Sequence, residues 1–435
     1  MKKFVSFIFC VIFLVSALTL PANAYKPTFK NHADAVLLYN VDTDTVVYSQ
    51  NPDKRVYPAS LTKIMVAILL IEKNDNLKDL TLTVSEEIYL RYRYSEAVIA
   101  GFQTGDKVNG YDLLAYTMVK SCADAAGMIA EYVAGSEAAF IDMMNAKARE
   151  LGMTSTNFTN CHGLHDENHY STARDMCILT KYAMQYSAIT DTAKVARYET
   201  VDGITLAATN LLVDPTSGYY YRYATGFKTG YTNEAGRCLA STATYEGMTY
   251  ICIMLGCPPQ EDSLENRYEF IDTAELYRWV FTSFTYRQVL EGRETVDSIP
   301  IDYSWDYDTV NVRPSKDIFA LVPVDADQST FKVEVEFTND RLEAPVKKGT
   351  VVGVVNVYYA EEKVGAANAV VAESVEGSQL LRATSGITKF LKKYKNIFAI
   401  IALILLILII VFIAVTIRLN SKKKKYGTVR RYKRF

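Results

Sequence analysis

Apolar runs at residues 35–38 and 45–48 flank the polar stretch Val41-Asp42-Thr43-Asp44, a pattern that predicts a β-hairpin. Residues 61–71 are apolar at almost every position and contain neither Gly nor Pro, which predicts a helix buried on all faces in the middle of a domain. Helical spacing continues over 111–133 and 137–151, with Gly135 as a break between them, and again over 174–186. Residues 235–245 and 248–255 read as strands joined by a tight turn at Glu246-Gly247, and 264–282 as a closing helix. A hairpin, a block of helices, two strands and a last helix predict an α+β domain. Its antiparallel sheet is assembled from both ends of the segment, with helices packed on it.

After about residue 284 the periodicity changes to short alternating or β-branched runs at 310–312, 318–324, 331–337, 350–358 and 369–372, separated by Pro, Gly and charged turns. This predicts a small all-β domain, followed by an amphipathic linker over 380–395. Residues 397–417 carry no charge, and as a helix they span about 30 Å, the thickness of a bilayer's hydrocarbon core. From Arg418 to Arg434 there are nine basic residues and no acidic one, a tail expected to stay on the cytoplasmic side. At the other end, Lys2 and Lys3, an apolar run over 4–20 and Pro21-Ala22-Asn23-Ala24 have the layout of a secretory signal peptide cleaved before Tyr25. The expected division is therefore a signal peptide (1–24), an α+β domain (25–283), a β domain (284–376), a linker (377–396), one transmembrane helix (397–417) and a basic tail (418–435), with the main body outside a cell membrane.

Composition changes the picture in one respect. The formal net charge of −2 over 435 residues hides a split: without the basic tail and the leader lysines, the remaining body is strongly acidic. That argues against nucleic acid as a partner. Beside a membrane helix, the tail is explained by stop-transfer and lipid headgroups. Outside the leader the cysteines are Cys122, Cys161, Cys177, Cys238, Cys252 and Cys257, at spacings that match no metal framework, so buried free thiols are expected.

The candidate chemistry begins at Pro58-Ala59-Ser60-Leu61-Thr62-Lys63. A spacing of three puts Ser60 and Lys63 on one helical face. A serine hydroxyl needs a base to become nucleophilic, and an amine held against Ile64, Val66 and Ala67 loses proton affinity by desolvation. The Ser60 N–H, at a helix start, is a candidate oxyanion donor. Lys228-Thr229-Gly230 is expected to begin an edge strand that projects a cation and a hydroxyl to one side. Such a strand pairs with an extended peptide and binds its carboxylate, and Gly230 allows close approach. Ser121-Cys122-Ala123-Asp124 lies between them, on the predicted helical block.

In this order the three segments resemble the penicillin-binding proteins and serine β-lactamases, and more narrowly the low-molecular-mass D-alanyl-D-alanine carboxypeptidases. Leu151-Gly152-Met153, His162-Gly163-Leu164, His169-Tyr170-Ser171-Thr172-Ala173-Arg174-Asp175, Ala235-Gly236-Arg237 and Ala344-Pro345-Val346-Lys347-Lys348-Gly349 extend the likeness over nearly all of 30–375. The resemblance implies a transpeptidase-like domain, a C-terminal β domain, and an acyl-enzyme on Ser60. Lys63 would be the base and Ser121 a proton relay or leaving-group contact. Lys228 and Thr229 would bind the terminal carboxylate, the N–H groups of Ser60 and Tyr231 would form the oxyanion hole, and Arg267 would be a further carboxylate contact. It implies peptidoglycan stem peptides as substrate, β-lactams as acylating inhibitors, and no cofactor.

Ala123 stands where the family pattern has Asn, which removes an amide that would bond the substrate backbone and predicts retained but altered activity. It keeps open a non-catalytic wall-binding protein, and Ser60, Lys63 and the Lys228 tripeptide alone would also suit a β-lactamase. His162, His165 and His169, with Asp166 and Glu167, invite a metal, but no regular element brings them together and none is expected. Tyr219, Tyr220, Tyr221 and Tyr223 are expected to be loop packing.

Overall fold

A computed structural model describes residues 27–259 and 266–426, so the predicted signal peptide and the last residues of the basic tail lie outside the described residues. The chain divides into two compact units, residues up to 286 with 321–326, and residues 287–320 with 327 onward.

In the first unit, β1 (Ala35–Asn40) and β2 (Thr45–Gln50) form the predicted hairpin. They join β3 (Ala224–Thr232), β4 (Gly236–Tyr245) and β5 (Met248–Cys257) in one antiparallel sheet of order β2-β1-β5-β4-β3. The first strand thus pairs with the last, as the order of elements predicts. Side chains alternate across a strand, and both faces are covered. Ala35, Leu37, Ile251, Ile253 and Leu255 enter one apolar cluster, while Val36, Leu38, Cys252 and Met254 enter the other. The first cluster is filled by α1 (Lys63–Lys73), α2 (Gly110–Met118), α3 (Ala123–Ala134), α4 (Glu137–Glu150) and α5 (Ala173–Ala183). The second is closed by Phe270, Leu276, Tyr277 and Val280 of α6 (Tyr268–Ser283). Every residue from Lys63 to Ile71 is buried, because α1 packs against α2, α3 and α5 at once.

The structure corrects the single helix expected over 111–133. It is two helices, α2 and α3, and Ser121 lies between them with φ +68°. Helical spacing is indifferent to such a break, because Val119 and Cys122 on either side are apolar and buried. Gly135, at φ +78°, ends α3 as a left-handed cap, and Ser136 caps α4 by accepting the Ala139 N–H. Tyr221 stacks on Tyr277 and meets Tyr223 edge-on, the packing role expected of them, whereas Tyr220 of the same run is exposed. The six cysteines from Cys122 to Cys257 are all buried free thiols.

The second unit contains a six-stranded sheet built from β6 (Asp297–Asp302), β7 (Thr309–Pro314), β8 (Phe331–Phe337), β9 (Leu342–Glu343), β10 (Val351–Tyr359) and β11 (Glu362–Val371), in the order β8-β10-β11-β7-β6-β9. Only β6–β9 is parallel. Strand β6 is absent from the periodicity reading because Pro300 interrupts it; Pro lacks the ladder donor. Helix α7 (Gln379–Lys393) takes up the linker, and α8 (Lys395–Tyr426) follows. Within α8, Lys395–Leu419 is long and apolar enough to cross a membrane, and its most apolar 18 residues have a mean hydropathy of 3.7 and are not buried.

Candidate active site

Ser60 sits in a 3-10 turn, Ala59–Thr62, that runs directly into α1. Ala59 is left-handed at φ +48°, a conformation that costs a non-glycine residue about 1–3 kcal/mol and persists only where its surroundings over-determine it. They do. Thr62 Oγ1 donates to the Ala59 carbonyl at 2.8 Å and lies 2.7 Å from His169 Nε2. The other ring nitrogen accepts the Thr159 N–H at 3.0 Å, which makes Nε2 the protonated one. Burial lowers the His169 pKa to about 4, so the ring stays neutral and keeps this arrangement. Gly163 presses on the same turn: at φ +80°, a Cβ there would stand 2.1 Å from the Ala59 carbonyl oxygen.

One turn on, Lys63 Nζ lies 3.0 Å from Ser60 Oγ and donates to the His162 carbonyl at 2.5 Å. Lys63 is 1% exposed, and burial lowers its pKa to about 8. Cys161, Cys122 and Asp124 favour the charged amine more weakly. Burial pushes the Cys122 thiol up to about 12 and Cys161 higher still, so both thiols are uncharged near neutral pH and desolvation decides the outcome.

Strand β3 is the sheet edge, paired only with β4, and its free side faces Ser60. A Cβ on Gly230 would lie 3.0 Å from the Ser60 nitrogen, so the absence of a side chain is what lets the strand approach the nucleophile. Ser60, Lys63, Ser121, Thr229, Gly230, Tyr231 and Arg267 line one groove of about 800 Å³. Thr229 Oγ1 donates to Thr209 Oγ1 at 2.6 Å. Arg267 is not on the closing helix but caps it, with its guanidinium held 2.5 Å from the buried Glu269 carboxylate.

Lys228 departs from expectation. It lies in the middle of β3 rather than at its start, and successive strand residues face opposite ways, so it does not share a side with Thr229. It is fully buried, donates to the Thr229 carbonyl at 3.0 Å, and has its pKa driven well below the usual lysine value by burial and by the nearby Lys63. Asp124 does not replace the missing amide. Its carboxylate accepts the N–H groups of Ala100 and Gly101 at 2.9–3.0 Å, and together with the Ala123 N–H, which bonds the Val98 carbonyl, it fixes the loop carrying Glu96, Ala97 and Val98 along the groove. Ala123 itself is fully buried in the apolar cluster.

The three histidines do separate work: His162 supplies a carbonyl to Lys63, His165 meets Tyr57 edge-on at 4.6 Å, and His169 locks the nucleophile turn. Among the described residues no group of three or more His, Cys, Asp or Glu has a metal-binding arrangement. Sequence reasoning missed the chemical parts played by the His162 carbonyl and Thr209. The first is a backbone atom that no residue type announces, and the second becomes relevant only once β3 is placed beside it. A separate cavity of about 440 Å³, lined by Leu37, Tyr39, Cys177 and Ile178, contains no such serine–amine pair.

A family model described as D-alanyl-D-alanine carboxypeptidase matches residues 22–258, and one described as penicillin-binding protein 5, C-terminal domain, matches 284–377. The chain is similar to the D-alanyl-D-alanine carboxypeptidase DacF of Bacillus subtilis, with 29% identity over 83% of this chain and 89% of that one. It is 30% identical to DacC of Escherichia coli over 79% and 84%. Penicillin-binding protein 5 from Haemophilus influenzae superposes with a TM-score of 0.63 at 27% identity, covering 80% of this chain and 98% of that one. Penicillin-binding protein D2 from Listeria monocytogenes, solved in a cefotaxime-bound form, matches 59% of the chain at 29% identity and a TM-score of 0.52. A serine with a buried amine at 3.0 Å, on a fold and a sequence shared over most of the chain, places this protein in the D-alanyl-D-alanine carboxypeptidase family of low-molecular-mass penicillin-binding proteins.

Proposed function

We propose that the chain removes the terminal D-alanine from peptidoglycan stem peptides through an acyl-enzyme on Ser60. The observation that carries this is the 3.0 Å contact between Lys63 Nζ and Ser60 Oγ in a groove bordered by the free edge of β3. The neutral amine of Lys63 takes the Ser60 proton as Oγ adds to the carbonyl of the penultimate D-alanine. The N–H groups of Ser60 and Tyr231 receive the oxyanion. When the C–N bond breaks, the proton passes to the departing D-alanine nitrogen with Ser121 as relay, and water then hydrolyses the ester. Thr229 binds the terminal carboxylate directly, with Arg267 as a further contact, and the buried Lys228 holds the Thr229 carbonyl from the face of β3 that Gly230 turns to Ser60. β-Lactams present the same kind of carbonyl and acylate Ser60.

The further arrangement proposed is a single-pass membrane protein, with α8 as the span, both folded units outside and the basic tail in the cytoplasm. The curated relatives' names favour the carboxypeptidase over a β-lactamase or a non-catalytic binder. The test is release of D-alanine from a peptide ending in D-Ala-D-Ala, beside labelling by a fluorescent penicillin. Wild type is expected to do both and Ser60→Ala neither. Rapid turnover of penicillin with the peptide left intact would point to a β-lactamase instead, and neither activity to a binding protein.

A further inference from the structure

Lys63 Nζ is held between Ser60 Oγ at 3.0 Å and the His162 carbonyl at 2.5 Å, so the place of that carbonyl decides how the amine meets the serine. The carbonyl belongs to a turn outside any helix or strand. Within the turn, Asn160 Oδ1 accepts the N–H groups of His162 and Gly163 at 3.2 and 2.6 Å, and Asn160 Nδ2 donates to the Leu164 carbonyl at 3.0 Å. These bonds shape the turn without tying it to another element.

A tie comes from Glu137, the first residue of α4. Its Oε1 accepts the Cys161 N–H and thiol, each at 3.4 Å, and lies 3.7 Å from His162 Nε2. His162 Nδ1 accepts the Leu164 N–H at 3.2 Å, which puts the ring proton on Nε2, facing the carboxylate. Glu137 Oε2 receives Arg91 Nη1 at 2.6 Å, from the last turn of a short helix, Glu86–Tyr92, and Glu87 braces Arg91 in turn at 2.5 Å. The free N–H groups of a helix's first turn also favour a carboxylate there. One oxygen thus faces three donors on two consecutive residues, and the second of these supplies the carbonyl to Lys63. The Glu137 side chain is 18% exposed and lies outside the groove lining, so it touches no substrate.

We propose that Glu137, clamped by Arg91, is a positioning residue for acylation: it holds Cys161 and His162 so that the His162 carbonyl stays on the Lys63 amine. The inference rests on the Ser60 reading above and adds a residue to it. A carbonyl against an amine favours the protonated form, so it opposes the burial that lowers the Lys63 pKa. Without the tether the carbonyl drifts, proton affinity falls further, and the amine loses a bond that aims it at Ser60. The other charged or titratable groups around Lys63 are Cys122, Asp124, Cys161, His162, His169 and Lys228; around Glu137 they are Arg91, Tyr92, Cys161 and His162. Burial holds His162 and His169 near a pKa of 4 and raises both thiols, so these stay uncharged between pH 6 and 9. Lys228 is the same in wild type and variants, so a displaced profile reports the turn.

The experiment measures the second-order rate constant for penicillin acylation of the full-length protein in detergent across this pH range. Wild type should level off near pH 8. In Glu137→Ala the levelling-off should move down by roughly one pH unit, the tenfold in proton affinity that a hydrogen bond to a charged group carries, and the plateau should fall by on the order of tenfold. Glu137→Gln, which keeps an acceptor oxygen, should lie between the two. Arg91→Ala releases the clamp from an exposed position, where folding is not at stake, and should shift the profile the same way by less. If Glu137→Ala does not fold, the Arg91 variant decides alone. A plateau that falls while the pH of levelling-off stays put makes Glu137 a packing contact and overturns the proposal, as do rates equal to wild type. No acylation of wild type, or a level wild-type profile, is failure of the Ser60–Lys63 reading itself and takes this inference with it.

Discussion

A lysine amine acts as a base only in its neutral form, and Lys63 owes that form to burial rather than to any partner. Its pKa falls from 10.5 to about 8, so on the order of a tenth of the molecules hold the neutral amine at pH 7. The second-order rate constant for penicillin acylation should therefore climb nearly tenfold per pH unit below 8 and flatten above it. A level profile between pH 6 and 9 would remove Lys63 from the role of base. For stability the sign is opposite to that of a paired lysine. The folded pKa lies below the unfolded one, so between about pH 8 and 10.5 the unfolded chain binds more protons, and this residue's contribution favours folding as pH rises. The nucleophile turn makes a second demand on single residues. Gly163 and Gly152 share φ +80°, but a Cβ at Gly163 meets the Ala59 carbonyl at 2.1 Å whereas one at Gly152 meets nothing within 4 Å. Gly152→Ala should cost about 1–2 kcal/mol of backbone strain and leave acylation intact. Gly163→Ala adds a steric conflict of about 1–3 kcal/mol and should slow acylation severely. Thermal denaturation and penicillin labelling of the two variants together check this, and equal behaviour would show that the turn tolerates displacement.

Between elements, the site depends on where helices stop. The junction of α2 and α3 lets Ser121 leave the helical path and enter the groove, and Asp124, one residue into α3, ties down the loop opposite. Removing that carboxylate takes away charge-assisted hydrogen bonds to the half-buried Ala100 and the exposed Gly101, worth about 1–3 kcal/mol each at most. Asp124→Ala is expected to lower stability by a few kcal/mol at most, to expose residues 94–103 to protease, and to slow acylation because the Val98 wall loosens. A variant as protease-resistant as wild type would show that the loop is held by other contacts. The edge position of β3 matters in the same way. A sixth strand beside it would take the hydrogen-bonding groups that an extended peptide needs.

For the whole molecule, the assigned chemistry and the apolar helix long enough to cross a membrane lie in different compact units. Truncation after residue 376 removes α7 and the apolar span while leaving both sheets complete. Full-length protein should sediment with membranes, and the truncated form should appear in the soluble fraction with the penicillin acylation rate unchanged within about twofold. Loss of acylation on truncation would mean that the site depends on the C-terminal helices.

Patterning along the chain was sufficient for the first hairpin, the buried α1, the strands β4 and β5, the change to an all-β segment and the apolar span. Each is a local periodicity that burial on one or two faces imposes on residue type. The serine–lysine pair was legible for the same reason, since a helix turn fixes which side chains are neighbours. Other features were settled by long-range packing. The left-handed Ser121 sits between two apolar residues that continue the helical spacing, so nothing local marks it. That Lys228 shares with Gly230 the face of β3 turned to the Ser60 turn and is buried there, while Thr229 lines the groove, follows from strand alternation once β3 is placed against that turn. The roles of the His162 carbonyl, Gly163 and Thr209 exist only because segments far apart in the chain converge on one turn. Sequence determined the chemistry available and the elements that carry it; tertiary structure decided which groups meet, because contact across a core depends on several elements at once and leaves no periodic trace in any one of them.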